Sequence, residues 1–156
     1  MSETRKLHYL DDLSPGQIFR GSATAPVDEA AIKAFAGQYD PQPFHLDAAA
    51  AKSTMFGGLA ASGWHTAAMT MRLLVDDGPL LAGGIIGAGT DEIRWPKPVR
   101  PGDTLHIECE VLEVRASKSR PQQGMVKMRT TTFNQHNDPV QIFIGNLVVQ
   151  RKPGAA

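Results

Sequence analysis

An acid and an imidazole stand five positions apart in Asp40-Pro41-Gln42-Pro43-Phe44-His45. On an α-helix that spacing would point the two side chains about 140° from each other. The two prolines also oppose regular helix, so only a bent loop can bring the pair together. Together they would form a general acid/base couple, because imidazole titrates near neutral pH and a buried carboxylate can hold a proton or accept one from water. Such groups typically contribute about 10²- to 10⁴-fold in rate. The plainer alternative is an Asp-Pro turn with His45 solvated beside it.

A second candidate is Phe56-Gly57-Gly58-Leu59-Ala60-Ala61-Ser62-Gly63-Trp64, a small-residue stretch leading into a helical pattern. A helix N-terminus offers unpaired N–H groups and a positive dipole end, and glycine lets a ligand approach the backbone closely. A carbonyl turning into an enolate would be stabilised there. Losing one such donor costs enzymes that use them about 2.7–4 kcal/mol, comparable to the acid/base contribution. The alternative is tight packing of a helix start against a sheet.

The remaining composition narrows the field. The chain has 156 residues, 42% hydrophobic and 21% charged, the balance of one globular domain able to bury a core. Lys+Arg and Asp+Glu are 16 each, which argues against polyanion or anionic-membrane binding as the main role. The most apolar run, Leu80 to Gly89, is about half a membrane span and holds four glycines. The opening Met1-Ser2-Glu3-Thr4-Arg5-Lys6 lacks a signal-peptide apolar region, so a cytoplasmic location is expected. A single Cys109 excludes an internal disulfide or a multi-thiolate metal site. His8, His106 and His136 share no metal-ligand spacing with a carboxylate, so no metal is expected. His65 is read as structural, and Met69 and Met71 as core. No Gly-x-Gly-x-x-Gly, P-loop or nucleophile-elbow pattern occurs, which leaves nucleotide redox and serine hydrolase readings unsupported.

The elements that must position these residues follow from periodicity. Tyr9 to Phe19 carries a Ser-Pro-Gly turn before a short first strand. Asp28 is an N-cap candidate for a helix through Ala31, Ile32, Phe35 and Ala36 that ends near Tyr39, before Pro41. Asp47 predicts a cap for a short alanine helix through Lys52. Ser62 predicts the cap of a buried central helix with Trp64, Ala67, Ala68, Met71, Leu74 and Val75 as its core-facing stripe. After Gly78-Pro79 the period becomes two: Leu105, Ile107, Cys109 and Val111 alternate with polar residues. Strands are further predicted over 85–95, 125–133 and 140–149, with a turn at Asn137-Asp138-Pro139. Helices first and long strands afterwards predict an α+β domain, an antiparallel sheet wrapped on a helix. The last strand is apolar on both faces and is expected to meet a second copy.

Three ordered motifs carry a family resemblance over nearly the whole chain. They are Phe35-Ala36-x-x-Tyr39-Asp40-Pro41-Gln42-Pro43-Phe44-His45-Leu46-Asp47, then Phe56 to Gly63, then Arg94-Trp95-Pro96-Lys97-Pro98-Val99-Arg100-Pro101-Gly102-Asp103-Thr104-Leu105. Together they resemble the MaoC-like dehydratases, the hot-dog family that contains the (R)-specific enoyl-CoA hydratases. The resemblance implies a single hot-dog domain over 1–156 and reversible hydration of a 2-enoyl-CoA to a 3-hydroxyacyl-CoA. It assigns acid/base work to Asp40 and His45, and thioester-oxygen binding to the Gly63 N–H. It also implies a homodimer joined by sheet pairing, coenzyme A only as part of the substrate, and no other cofactor. Gln42, Phe44, Ser62 and Trp64 are expected substrate contacts; Arg94 and Lys97, clustered with Arg100 around two prolines, are candidates for coenzyme phosphates, with a solvated turn as the alternative. Gln42 stands where the family's hydratase motif has Asn, and Ser62 where a His often precedes the helix glycine. A thioesterase of the same fold and a non-catalytic acyl-CoA-binding module are the alternatives.

Overall fold

A computed structural model describes residues 4–155. In chain order the elements are β1 (Leu7–His8), a 3₁₀ turn (Leu10–Asp12), β2 (Ile18–Arg20), β3 (Ala25–Pro26), α1 (Glu29–Tyr39), α2 (Pro43–Leu46) and α3 (Ala48–Ala51). The long helix α4 (Gly63–Asp77) follows, then β4 (Leu80–Leu81), β5 (Ile86–Arg94), β6 (Thr104–Ala116), β7 (Gln123–Phe133) and β8 (Pro139–Gln150). The main sheet runs β2-β6-β7-β8-β5, with β3 also on β6, and every pairing in it is antiparallel. β1 and β4 form a separate parallel pair. This is the expected α+β architecture, a sheet curved around one long helix. No helix among the described residues is long and apolar enough to cross a membrane.

Local chemistry explains the boundaries. Asp28 caps α1 by accepting from Ala31 N, and Asp47 caps α3 by accepting from Ala49 N and Ala50 N. Ser62 Oγ accepts from Trp64 N at the start of α4. The period-two run of β6 does bury Leu105, Ile107, Cys109 and Val111, and β7 continues that face with Val126 and Met128. Leu105, Ile107, Val111, Val126, Val140 and Val149 are at most 1% exposed. Each such side chain contributes about 1.5–3 kcal/mol on burial, so the inner sheet face is what fixes α4 in place.

Two expectations need correction. The two prolines do not exclude helix at 40–46: Pro43 occupies the first position of α2, where its missing N–H is one that a helix leaves unbonded anyway. His45 therefore rides on one helical turn, while Asp40 stays outside it as the C-cap of α1. The stripe predicted to face the core from α4 is rotated: His65, Thr66, Thr70, Leu73 and Leu74 are buried, whereas Trp64, Met71 and Val75 are exposed. Polar residues can face the sheet because they find partners there, as Thr70 Oγ1 does 2.7 Å from Thr132 Oγ1. The last strand, β8, lies inside the sheet between β7 and β5. The two ends of the strand order are β2 and β5, and most residues of β5 are exposed.

Candidate active site

The bend between α1 and α2 does what a continuous helix could not. Asp40 N donates to Ala36 O at 2.9 Å, ending α1, and Gln42 N and His45 N then donate to Asp40 O and Gln42 O. The turn brings His45 Nε2 to 3.3 Å from Asp40 Oδ2. The segment before α4 is tied to α2 at two points. Ala60 N donates to Phe44 O at 3.0 Å, and the Ala60 carbonyl lies 2.6 Å from His45 Nδ1. Because a carbonyl only accepts, Nδ1 carries a hydrogen, and Nε2 is the nitrogen presented to Asp40.

Asp40 is held as an anion. Burial raises its pKa, but hydrogen bonds from Gln42 Nε2 (2.6 Å, to Oδ1) and Ser62 Oγ (2.8 Å, to Oδ2), with His45 alongside, outweigh that effect. They leave the carboxyl below its ordinary value. Ser62 Oγ thus donates to Asp40 and accepts from Trp64 N, linking the carboxylate to the helix start. Gly63 is the first residue of α4, a position whose N–H has no intrahelical partner.

His45 and Gly63 both line one cleft of about 540 Å³. Met55, Phe56, Ala61, Thr66, Trp95, Val99 and Val140 supply most of its wall, with Pro96, Lys97 and Pro98 at one side. Arg100 fixes the Phe56–Leu59 loop by donating to the carbonyls of Phe56, Gly58 and Leu59. His45 and Gly63 line this cleft, whereas Asp40 does not and is joined to it through His45 Nε2. An imidazole with one committed nitrogen, backed by an ionised carboxylate and set beside a helix-start amide, can move protons next to a polarised carbonyl.

The other expected contacts fall elsewhere. Gln42 and Ser62 support Asp40 and do not face the cleft; Ser62 is fully buried. Phe44 packs edge-on against His45 with ring centroids 4.6 Å apart. Trp64 is 59% exposed on the outer side of α4 and packs edge-on against Trp95. Arg94 pairs with Glu92 and does not line the cleft. Lys97 lines it, but its Nζ is 2.6 Å from Asp138 Oδ2. His65 stacks on Phe35 of α1 at 4.8 Å, and burial holds its pKa below the ordinary value. Burial pushes the Cys109 thiol up to about 11, so it is no nucleophile at neutral pH. Among the described residues, no three His, Cys, Asp or Glu side chains are grouped to hold a metal ion.

Sequence reasoning missed Trp95, the Ala60 carbonyl and the loop-holding role of Arg100. Trp95 offered a signal, a large aromatic wedged between Arg94 and Pro96. The other two act through the backbone, which no side-chain pattern reveals.

Comparison with known proteins places the chain among similar sequences and folds. The family described as MaoC like domain matches residues 12–134. An uncharacterized protein of Bacillus subtilis, YdeM, is 34% identical over 142 residues, which cover 90% of this chain and 96% of that one. The crystal structure of a MaoC-like dehydratase from Rhodospirillum rubrum superposes with a TM-score of 0.90 at 56% identity, covering 94% of this chain and 99% of that one. The (R)-hydratase PhaJ1 of Pseudomonas aeruginosa gives a TM-score of 0.69 at 29% identity over 92% and 86% of the respective chains.

Proposed function

The chain belongs to the MaoC-like dehydratase family, with its hot-dog fold, and from that premise we propose that it reversibly adds water to a 2-enoyl-CoA, giving a 3-hydroxyacyl-CoA of (R) configuration. The observation that carries this reading is Asp40 and His45 in contact beside a cleft that also holds the first residue of α4. The thioester oxygen accepts from Gly63 N–H, which polarises the double bond and holds the enolate oxygen as it forms. Asp40, ionised and held by Gln42 and Ser62, takes a proton from the attacking water as its oxygen bonds to C3. His45 enters this step carrying a proton on each ring nitrogen: Nδ1–H stays with the Ala60 carbonyl, and the Nε2 proton goes to C2, leaving the ring neutral. The 3.3 Å between the two groups lets the proton return from Asp40 to His45, which resets the pair without an external acid.

With Lys97 and Arg100 engaged elsewhere, the cleft walls suit an apolar acyl group. We place the reaction in the cytoplasm, on coenzyme A thioesters, in a homodimer. Support for the dimer comes from the exposed stripe Trp64, Met71 and Val75 on α4 and from the unpaired edge of β5, which together leave an apolar face beside an open sheet edge. The test is the fall of enoyl-thioester absorbance on adding enzyme. Asp40→Asn and His45→Gln should each lower turnover at least a hundredfold, and full activity in either variant overturns the mechanism. Free thiol trapped by a dye in the same cuvette would mark a thioesterase instead.

A further inference from the structure

Gly63 has ordinary helical backbone and no need of glycine on conformational grounds. What requires glycine there is Trp95: a Cβ at position 63 would lie 2.6 Å from Cε2, 2.7 Å from Cδ2 and 2.8 Å from Cζ2 of the indole. The six-membered ring therefore rests against the Cα of the residue whose N–H is assigned the thioester oxygen. The ring cannot easily swing away. Its Nε1 donates to Gln141 Oε1 at 3.0 Å, and Gln141 is a fully buried residue of β8 opposite Thr132 of β7. On its outer side the indole meets the Trp64 ring at 5.3 Å, and Pro96 stiffens the backbone immediately after it. One part of Trp95 stays open and lines the cleft with His45, Thr66 and Val140.

We propose that Trp95 is the residue that selects acyl groups by their bulk next to the thioester carbonyl, admitting substrates unbranched at C2 and rejecting 2-methyl-branched ones. The proposal rests on the reading that Gly63 N–H receives the thioester oxygen. An oxygen bound there places the carbonyl carbon about 3–4 Å from the amide, given ordinary hydrogen-bond and C=O lengths. Its next carbon then runs along the indole that covers Gly63. Coenzyme A must leave toward solvent, so the carbon chain, and not the sulfur, lies on the inner side, where Gln141 anchors the ring. A close-packed wall of this kind discriminates by single methyl groups because it lacks room to relax.

The experiment compares kcat/KM for crotonyl-CoA and 2-methylcrotonyl-CoA in the wild type, Trp95→Phe, Trp95→Leu and the double variant Trp95→Leu with Gln141→Leu. The double variant removes both hydrogen-bond partners, so no buried amide is stranded if Trp95→Leu alone folds poorly. The wild type should prefer crotonyl-CoA at least tenfold. The branched-to-unbranched ratio should rise at least tenfold in the folded leucine variants and by less in Trp95→Phe, which keeps a ring on Gly63. A wild type that uses both substrates equally, or a ratio within threefold of wild type in a folded leucine variant, overturns the proposal. Calorimetric binding of butyryl-CoA against 2-methylbutyryl-CoA separates the two readings, since neither can be hydrated. Discrimination in binding without hydration of any enoyl thioester removes the hydratase reading and keeps the wall. Equal hydration of both enoyl substrates removes the wall and keeps the hydratase.

Discussion

Replacing Gly63 with alanine sets a local stabilising effect against a steric one. Alanine is favoured over glycine in helices by about 1 kcal/mol, and it also restricts the unfolded chain. Against this stands a new methyl 2.6–2.8 Å from three indole atoms, where ordinary carbon contacts are about 3.5–4.0 Å. Something must move by about 1 Å. The indole is tied to buried Gln141, and the start of α4 is capped by Ser62, which is itself bonded to Asp40. Overpacking of this kind costs about 1–3 kcal/mol, so the net loss of stability should be about 0–2 kcal/mol, a few degrees in Tm for a chain of this size. Turnover should fall far more. A displacement of about 1 Å at a positioned group can cost about 10²-fold, because the amide no longer meets the oxygen at bonding distance. The assay pairs thermal unfolding with enoyl-CoA hydration in Gly63→Ala, Trp95→Leu and the double variant. The two substitutions should couple favourably, since leucine removes the ring the methyl strikes. Wild-type turnover in Gly63→Ala, or no relief in the double variant, refutes the reasoning.

Ser62→Ala removes one donor from Asp40 and the side-chain cap of α4, and should cost about 0.5–2 kcal/mol in urea unfolding. Because Asp40 is depressed in the folded state, its contribution to stability is present above the unfolded carboxylate pKa and lost as pH falls through the folded one. The same sign applies to activity. The acidic limb of kcat/KM should move to higher pH in Ser62→Ala, and an unmoved limb would show that Asp40 is not the ionised base. Met71→Glu with Val75→Lys places charges on the exposed stripe of α4 and should convert a dimer to monomer in sedimentation; a dimer that persists would mean that this face is not its interface.

The helix caps Asp28, Asp47 and Ser62, the period-two strand around Leu105 to Val111 and the order of helices and strands were legible in the chain, because each depends on neighbours a few residues away. The resemblance likewise singled out Asp40, His45 and Gly63, of which the fold brings the first two into contact and the last two to one cleft. What the sequence did not carry was the rotation of α4. Its apolar stripe marks one face, but whether that face meets this sheet or something beyond it depends on how Thr66 and Thr70 find partners across the core. The second acts of familiar residues were equally out of reach. Gln42 and Ser62 were expected at the substrate and instead hold a carboxylate, Arg100 holds three backbone carbonyls, and Trp95 makes glycine obligatory at a position 32 residues earlier in the chain. Local pattern sets which residues can cap, alternate or bend. Contacts between segments far apart in sequence arise only once the sheet has closed on the helix, and those contacts decide which side chains touch the cleft and which merely hold it in shape.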